Sequence, residues 1–265
     1  MNTKEHKPLF IGFSSQKGGV GKSTLAEVIS SILYYEQAIN LFVIDCDSSQ
    51  DSFFKLRQRE KECIENSPEL TKFMEAYFNK HKRVAFRILK AFPKDAISLA
   101  VSYIKKREDM FDVVIFDFPG HVGTGDLLEL SLSMDYIISP IESDVQSLVT
   151  CMTYAKSIQD LGVSMSESNV KDVIMVWNKV DRRVKNNIIE IYSNYIRQEG
   201  VSLLEQHIYS AHRFSHELPL YGIKGVFRST YLAPNKALRM GTGIDEVIIE
   251  ILNKLNIKSK IDGNN

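Results

Sequence analysis

The sequence predicts an α/β protein: a doubly wound, mostly parallel sheet flanked by helices. Three observations carry this. A short apolar run at residues 9–13 feeds a glycine-rich turn, which opens a helical pattern and then a second apolar run at 41–44. Strand, turn, helix and strand in that order begin a parallel sheet with a crossover connection. Further apolar runs at 113–116, 135–141 and 173–176 alternate with helical patterns. Several runs end in polar residues, Asp45 and Asp47, Asp117 and Asn178, where open α/β sheets hold their ligands.

The chain has 265 residues, 44% of them hydrophobic and 25% charged. That length can close one large core, and no linker, repeat or low-complexity tract divides it. A single domain over 1–265 is expected, with a helical insert at about 51–110. Lysine plus arginine and aspartate plus glutamate number 33 each. This balance removes any whole-protein electrostatic argument for nucleic acid; such a surface must be local. Cys46, Cys63 and Cys151 stand at unrelated spacings with no Cys/His metal pattern, which fits a reducing cytoplasm. The N-terminus lacks the apolar core of a signal peptide. No run approaches the roughly 18 apolar residues of a membrane span, so none is expected.

Residues 9–14 read as a buried strand. Leu25, Val28, Ile29 and Ile32 recur at helical spacing and predict a helix over 21–35. Residues 41–44 are the second strand. Residues 51–81 predict two helices, the second capped by Ser67 with Pro68 at its first position. Residues 83–89 read as a third strand and 95–106 as a helix. Lys80, Lys82, Arg83, Arg87, Lys90, Lys94, Lys105, Lys106 and Arg107 fall on this stretch. They are either a nucleic-acid surface or a solvated outer face. After the strands at 113–116 and 135–141, a helix is expected over 144–160. A strand at 173–176, a helix at 187–198 and a last strand at 203–209 follow. Residues 211–243 read as loop. Ile244, Val247, Ile248, Ile251, Leu252 and Leu255 make a closing amphipathic helix. Its polar tail, 258–265, favours a packed core helix over a membrane-binding one.

The chemistry concentrates at 13–25, FSSQKGGVGKSTL. A glycine-rich turn between strand and helix wraps backbone N–H groups around a phosphate. Gly18, Gly19 and Gly21 allow the turn, Lys22 reaches terminal phosphates, and Ser23 offers its hydroxyl to Mg²⁺. The usual pattern wants glycine at 16, where this chain has Gln16 followed by a second lysine, Lys17. Asp117, at a strand end a hundred residues on, can support Mg²⁺ opposite the loop. Residues 119–123 then form a loop able to sense a terminal phosphate, with His121 in it. Asp45 and Asp47 are placed to orient an attacking water, or serve only as loop caps. Asn178-Lys179-Val180-Asp181 spells the Asn-Lys-x-Asp pattern that reads guanine in GTPases.

Lys-Gly-Gly-x-Gly-Lys-Ser with Asp-x-Asp resembles the deviant phosphate loop of the ParA/MinD family of dimeric ATPases, and the likeness spans about residues 9–256. The resemblance implies ATP with Mg²⁺ held by Lys17, Gly18, Gly19, Val20, Gly21, Lys22, Ser23 and Thr24, with Asn178 contacting adenine. It implies that Ser23 and Asp117 serve the metal, and that Asp47, with Asp45, orients water for slow hydrolysis. It also implies that Lys17 crosses to a partner's nucleotide, so the ATP-bound state is a homodimer. Here serine stands where the family's Asp-x-Asp-Pro has proline, which leaves that loop less rigid. ParA-like ATPases bind DNA non-specifically and act with ParB-like partners. Arg213, Arg228, Lys236 and Arg239, or the 80–107 face, are the candidate DNA contacts. The 51–110 insert and Gly-Val-Phe-Arg-Ser-Thr at 225–230 are similar to the TraA subgroup encoded with conjugative-transfer genes, where the partner is a conjugation-apparatus protein. A nucleotide-switched adaptor without DNA, a GTPase and a metabolic phosphotransferase are the alternatives.

Overall fold

The computed structural model describes residues 7–107, 110–120, 125–165, 168–183 and 187–260. In chain order its elements are β1 (Leu9–Phe13), α1 (Lys22–Tyr35), β2 (Leu41–Asp45), α2 (Ser52–Glu65), α3 (Pro68–His81), β3 (Ile88–Lys90), α4 (Pro93–Lys105) and β4 (Val113–Asp117). Then come α5 (Gly125–Leu132), β5 (Tyr136–Ile141), α6 (Val145–Ser164), β6 (Asp172–Trp177), α7 (Asn187–Gln198) and β7 (Ser202–Leu203). A short 3₁₀ turn (His212–Ser215), α8 (Leu218–Gly225), α9 (Lys236–Arg239) and α10 (Ile244–Lys254) complete it.

The strands form one seven-stranded sheet in the order β3-β2-β4-β1-β5-β6-β7, and every strand pair is parallel. The expected sheet was mostly parallel; this one is wholly so. A parallel sheet covered on both faces needs apolar residues throughout its strands, and β2 and β4 are buried at every position. Alternate residues serve opposite faces. Phe10, Phe42, Ile44, Val114 and Phe116 pack with residues of α4, α5, α6 and α7. Ile11, Phe13, Val43 and Ile115 pack with α1 and α10. Chain order moves from β1 outward to β2 and β3, back to β4, then past β1 to β5, so the reversal falls at β1, where the crevice of such sheets opens.

Local signals explain several elements. Ser67 accepts a hydrogen bond from the Leu70 amide at 3.3 Å, and Pro68 opens α3. The α10 start is set by Gly243 at φ +78, where a Cβ would lie 1.9 Å from the His207 carbonyl oxygen. Val247, Ile248, Ile251 and Leu252 of α10 are buried against the sheet, so its apolar face is spent on the core. Among the described residues no helix is long and apolar enough to cross a membrane.

Three predicted elements differ. Of 83–89 only Ile88 and Leu89, with Lys90, pair with β2. The Arg83 guanidinium instead donates to the carbonyls of Tyr34 and Ala38, and Phe86 packs into the α1 side of the core. Of 203–209 only Leu203, with Ser202, pairs with β6. The Leu204 and Ile208 amides still donate to the β6 carbonyls of Met175 and Trp177, but those of Glu205 and Gln206 between them donate to the Glu250 carboxylate on α10. The 211–243 tail contains α8, α9 and the 3₁₀ turn.

Candidate functional site

The site forms where three strand ends meet in register. Phe13 of β1 and Asp45 of β2 both stand opposite Asp117 of β4. From Phe13 the chain turns through the glycines into α1. Gly19 and Gly21 have φ of +79 and +91, and Gly21 is the helix cap, a conformation that costs glycine little. A Cβ on Gly21 would also lie 2.7 Å from the Asn178 amide nitrogen. That amide donates to the Val20 carbonyl at 2.7 Å. Lys179 donates to the Gly19 carbonyl at 2.5 Å and pairs with Glu142 at 2.8 Å. The end of β6 thus braces the phosphate loop from the side.

A cavity of about 440 Å³ opens above the loop, lined by Gly18, Gly21, Lys22, Ser23, Thr24 and Asp47 among others. The Lys22 side chain is buried, and its ammonium lies 3.8 Å from where a Cβ on Gly120 would stand. Asp47 Oδ1 accepts from the Ser49 amide and hydroxyl and from the Gln50 amide, at 3.2, 2.6 and 3.1 Å. Ser49 and Gln50 line the cavity too. Asp45 is not brought to it. Its oxygens accept from the Asp47 and Phe54 amides at 3.3 and 3.2 Å, fixing the loop and the start of α2. Burial pushes its pKa to about 6 against those two bonds.

Asp117 is fully buried, and neither carboxylate oxygen has a hydrogen-bond partner of good geometry among the described residues. Burial pushes its pKa to about 7, with the Ser23 hydroxyl and the Lys22 ammonium pulling the other way and Asp45 adding to the rise. Two orphaned carboxylate oxygens beside a serine hydroxyl form a hard oxygen donor set, which fits Mg²⁺. A divalent cation would supply the positive charge this carboxylate lacks.

Lys17 does not line that cavity. It is 39% exposed, and its ammonium lies 2.9 Å from Asp144 and 3.9 Å from Glu142. The Asp144 bond holds its pKa above the ordinary lysine value.

A second cavity, of about 420 Å³, runs from Gly21 and Thr24 past Asn178 to Tyr209, Phe214 and Arg228. Asn178 stands at its junction with the loop. Asp181 lies on the wall of a different cavity. Its carboxylate takes two bonds from the Arg183 side chain, at 3.0 and 2.7 Å, and that guanidinium lowers its pKa to about 2. Of the Asn-Lys-x-Asp residues, Asn178 and Lys179 line the cavity beside the loop and Asp181 does not.

Of the tail cations expected at a DNA surface, Arg239 is 3% exposed and pairs with Glu36 and Asp245 at 2.6 and 3.3 Å. Arg213 donates to the Leu238 carbonyl at 2.7 Å. Arg228 is half-buried between Glu27 and Glu217. Only Lys236 stands exposed. Arg239 is corrected from a surface contact to a structural one, because Glu36 and Asp245 hold it in the interior; Arg213 and Arg228 are partly buried and already engaged. His121 and residues 122–124 lie outside the described residues. Sequence reasoning missed Lys179, Ser49, Gln50 and the 209–215 wall. The first three sit within motifs already singled out, and only the wall lacked a signal.

A glycine loop on a helix N-terminus, a buried lysine within it and an acidic strand end beside it define a phosphate-loop nucleotide-binding protein. Residues 11–218 match the CobQ/CobB/MinD/ParA nucleotide binding domain. The chain belongs to that family of nucleotide-binding domains. No curated relative matches the sequence. Among solved structures, the MinD cell division protein of Aquifex aeolicus superposes with TM-score 0.58 at 16% identity, covering 95% of this chain and 98% of that one. An ATP complex of a McdA variant from Cyanothece gives 0.60 at 13% identity, covering 96% and 99%. A ParA family ATPase from Chlorobium tepidum gives 0.55 at 16%, covering 92% and 97%. At these identities the likeness is one of fold.

Proposed function

We propose that this chain is an Mg-ATP-dependent dimerising switch that acts in the cytoplasm in the partition or conjugative transfer of DNA. The observation that carries the dimer is the division of labour between two lysines. Lys22 is buried in its own phosphate cavity, whereas Lys17 stands on the rim, outside that lining and exposed. A cation there serves a phosphate arriving on another chain better than its own. Within one chain, Gly18 to Thr24 cradle the phosphates, Ser23 and Asp117 hold the metal, and Asp47 orients water. When bound, Mg²⁺ neutralises charge that develops between the β- and γ-phosphates. The local bond from Arg183 to Asp181 and the separate cavity that Asp181 lines favour ATP over GTP. If two chains complete each site, ATP turnover per chain rises with protein concentration over the range in which the dimer forms. Turnover per chain that stays constant would count against the dimer.

With the tail arginines engaged, the DNA part of this reading rests on residues 80–107. They hold nine lysines and arginines and one aspartate in a chain that is neutral overall. Lys90 pairs with Asp51 and Arg83 bonds backbone, but Lys80, Lys82, Arg87, Lys94, Lys105 and Lys106 are exposed around the edge strand β3. Charge at a sheet edge also discourages edge-to-edge pairing, so the two roles need separating. Retention on duplex DNA with ATP is expected to fall about tenfold or more between 50 and 200 mM salt. A variant with Lys105 and Lys106 changed to glutamate should lose it while still binding ATP. Salt-independent retention, or none at low salt, favours the adaptor that carries a ParB-like or conjugation-apparatus protein without DNA.

A further inference from the structure

We propose that Arg228 is a nucleotide-binding residue that takes the α-phosphate of the bound nucleotide. The inference rests on the reading of the two joined cavities as a nucleotide site. Arg228 follows α8, 204 positions after Thr24, yet its Nη1 lies 3.4 Å from the Thr24 hydroxyl. Its side chain forms part of the wall of the second cavity, the space for the base in this reading, beside Gly21, Thr24 and Asn178. That wall lies between the phosphate loop and the space for the base. The part of a nucleotide that spans such a gap is the ribose and the α-phosphate, and of these only the phosphate is anionic.

The guanidinium is held from behind. Its Nε lies 3.1 Å from the Glu27 carboxylate of α1, and its Nη2 meets Glu217. Glu217 is gripped in turn by Arg59 of α2, through bonds of 2.9 to 3.0 Å. The Nε faces Glu27 without hydrogen-bond alignment, and both atoms are buried with no other partner among the described residues. Glu27 is fully buried, and desolvation raises its pKa to about 8 despite Arg228. Two guanidinium groups, Arg59 and Arg228, share Glu217, and the other carboxyl beside Arg228, Glu27, is one whose charge burial opposes. A half-buried cation without a full counter-charge is costly, and a phosphate beside Thr24 relieves it. Arginine suits the task because its fork can keep its anchors while presenting one edge to the anion.

The competing account is a purely structural clasp joining the tail to α1 and α2. Equilibrium binding of ATP, ADP, AMP and adenosine to the full chain with Mg²⁺ separates the two, with thermal unfolding followed in parallel. Arg228→Gln is expected to weaken ATP, ADP and AMP alike, by roughly 10- to 100-fold, the range for a lost charged hydrogen bond. Adenosine binding should not change. Arg228→Lys should recover part of the AMP affinity and, if Arg228→Gln does not fold, decides the matter by its AMP-to-adenosine ratio. Equal losses for AMP and adenosine, a loss confined to ATP, or unchanged binding in both variants each overturn the proposal. A wild-type chain that binds none of the nucleotides overturns the nucleotide-site reading instead.

Discussion

Lys17→Ala is expected to bind ATP within about threefold of the wild type, the scale of an exposed ion pair, and to form no ATP-dependent dimer. The two effects part because of where the side chain stands. Its ammonium is bonded to Asp144 and lies beyond the lining of its own phosphate cavity. Removing it breaks an exposed pair that solvent already screens. The loop itself is held by other groups: Asn178 on the Val20 carbonyl and Lys179 on the Gly19 carbonyl. Its shape should survive, and Lys22 remains buried inside. Only a phosphate from another chain would miss Lys17. ATP affinity by titration and mass by light scattering check both halves. Loss of ATP binding would mean that Lys17 serves its own site, and a persistent dimer would remove it from the interface.

The second large effect concerns Asp117. A carboxyl whose folded pKa is raised stabilises the fold while protonated. That contribution is fully present below its unfolded value near 4 and is lost as pH rises through about 7. At pH 8 the nucleotide-free protein therefore carries a buried, ionised carboxylate whose burial cost Ser23 and Lys22 offset only in part. Asp117→Asn should make that protein more stable at pH 8, by on the order of 2 to 4 kcal/mol. The gain should shrink by about half at pH 5.5, where the wild-type group is already largely protonated. The same variant should lose the stabilisation that Mg²⁺ with ATP gives the wild type. Denaturant melts at the two pH values, with and without Mg-ATP, measure this. Destabilisation at pH 8, or a gain independent of pH, would contradict it. The wild-type aspartate trades apo stability for a metal-ready site, a pattern common where buried charge serves function.

Most of this site was legible in the sequence because strand ends and a glycine turn are local signals. Apolar runs ending at Asp45, Asp117 and Asn178 could be read directly, and the parallel order put those ends on one side. What was not legible depended on distant partners. Nothing local to Arg228 or Arg239 reveals Glu27, Glu217 or Glu36, so residues held by carboxylates read as free surface cations. Asp45 and Asp47 looked equivalent, and only the start of α2 separates them, by drawing Asp45 to the Phe54 amide. Residues 83–87 have strand-like composition, but the Arg83 bonds to the end of α1 pull them out of the ladder. The 209–215 wall of the second cavity carried no motif, because its value lies in lining a space that residues 21 to 25 and 178 bound from the other side.

The central claim is that nucleotide state sets the number of chains in the particle. Light scattering on the full chain with no nucleotide, with ADP, and with a slowly hydrolysed ATP analogue, each with Mg²⁺, tests it most directly. The account predicts one chain of 30.2 kDa in the first two states and two in the third. One chain in all three states with ATP turnover intact, or two in all three, would contradict it.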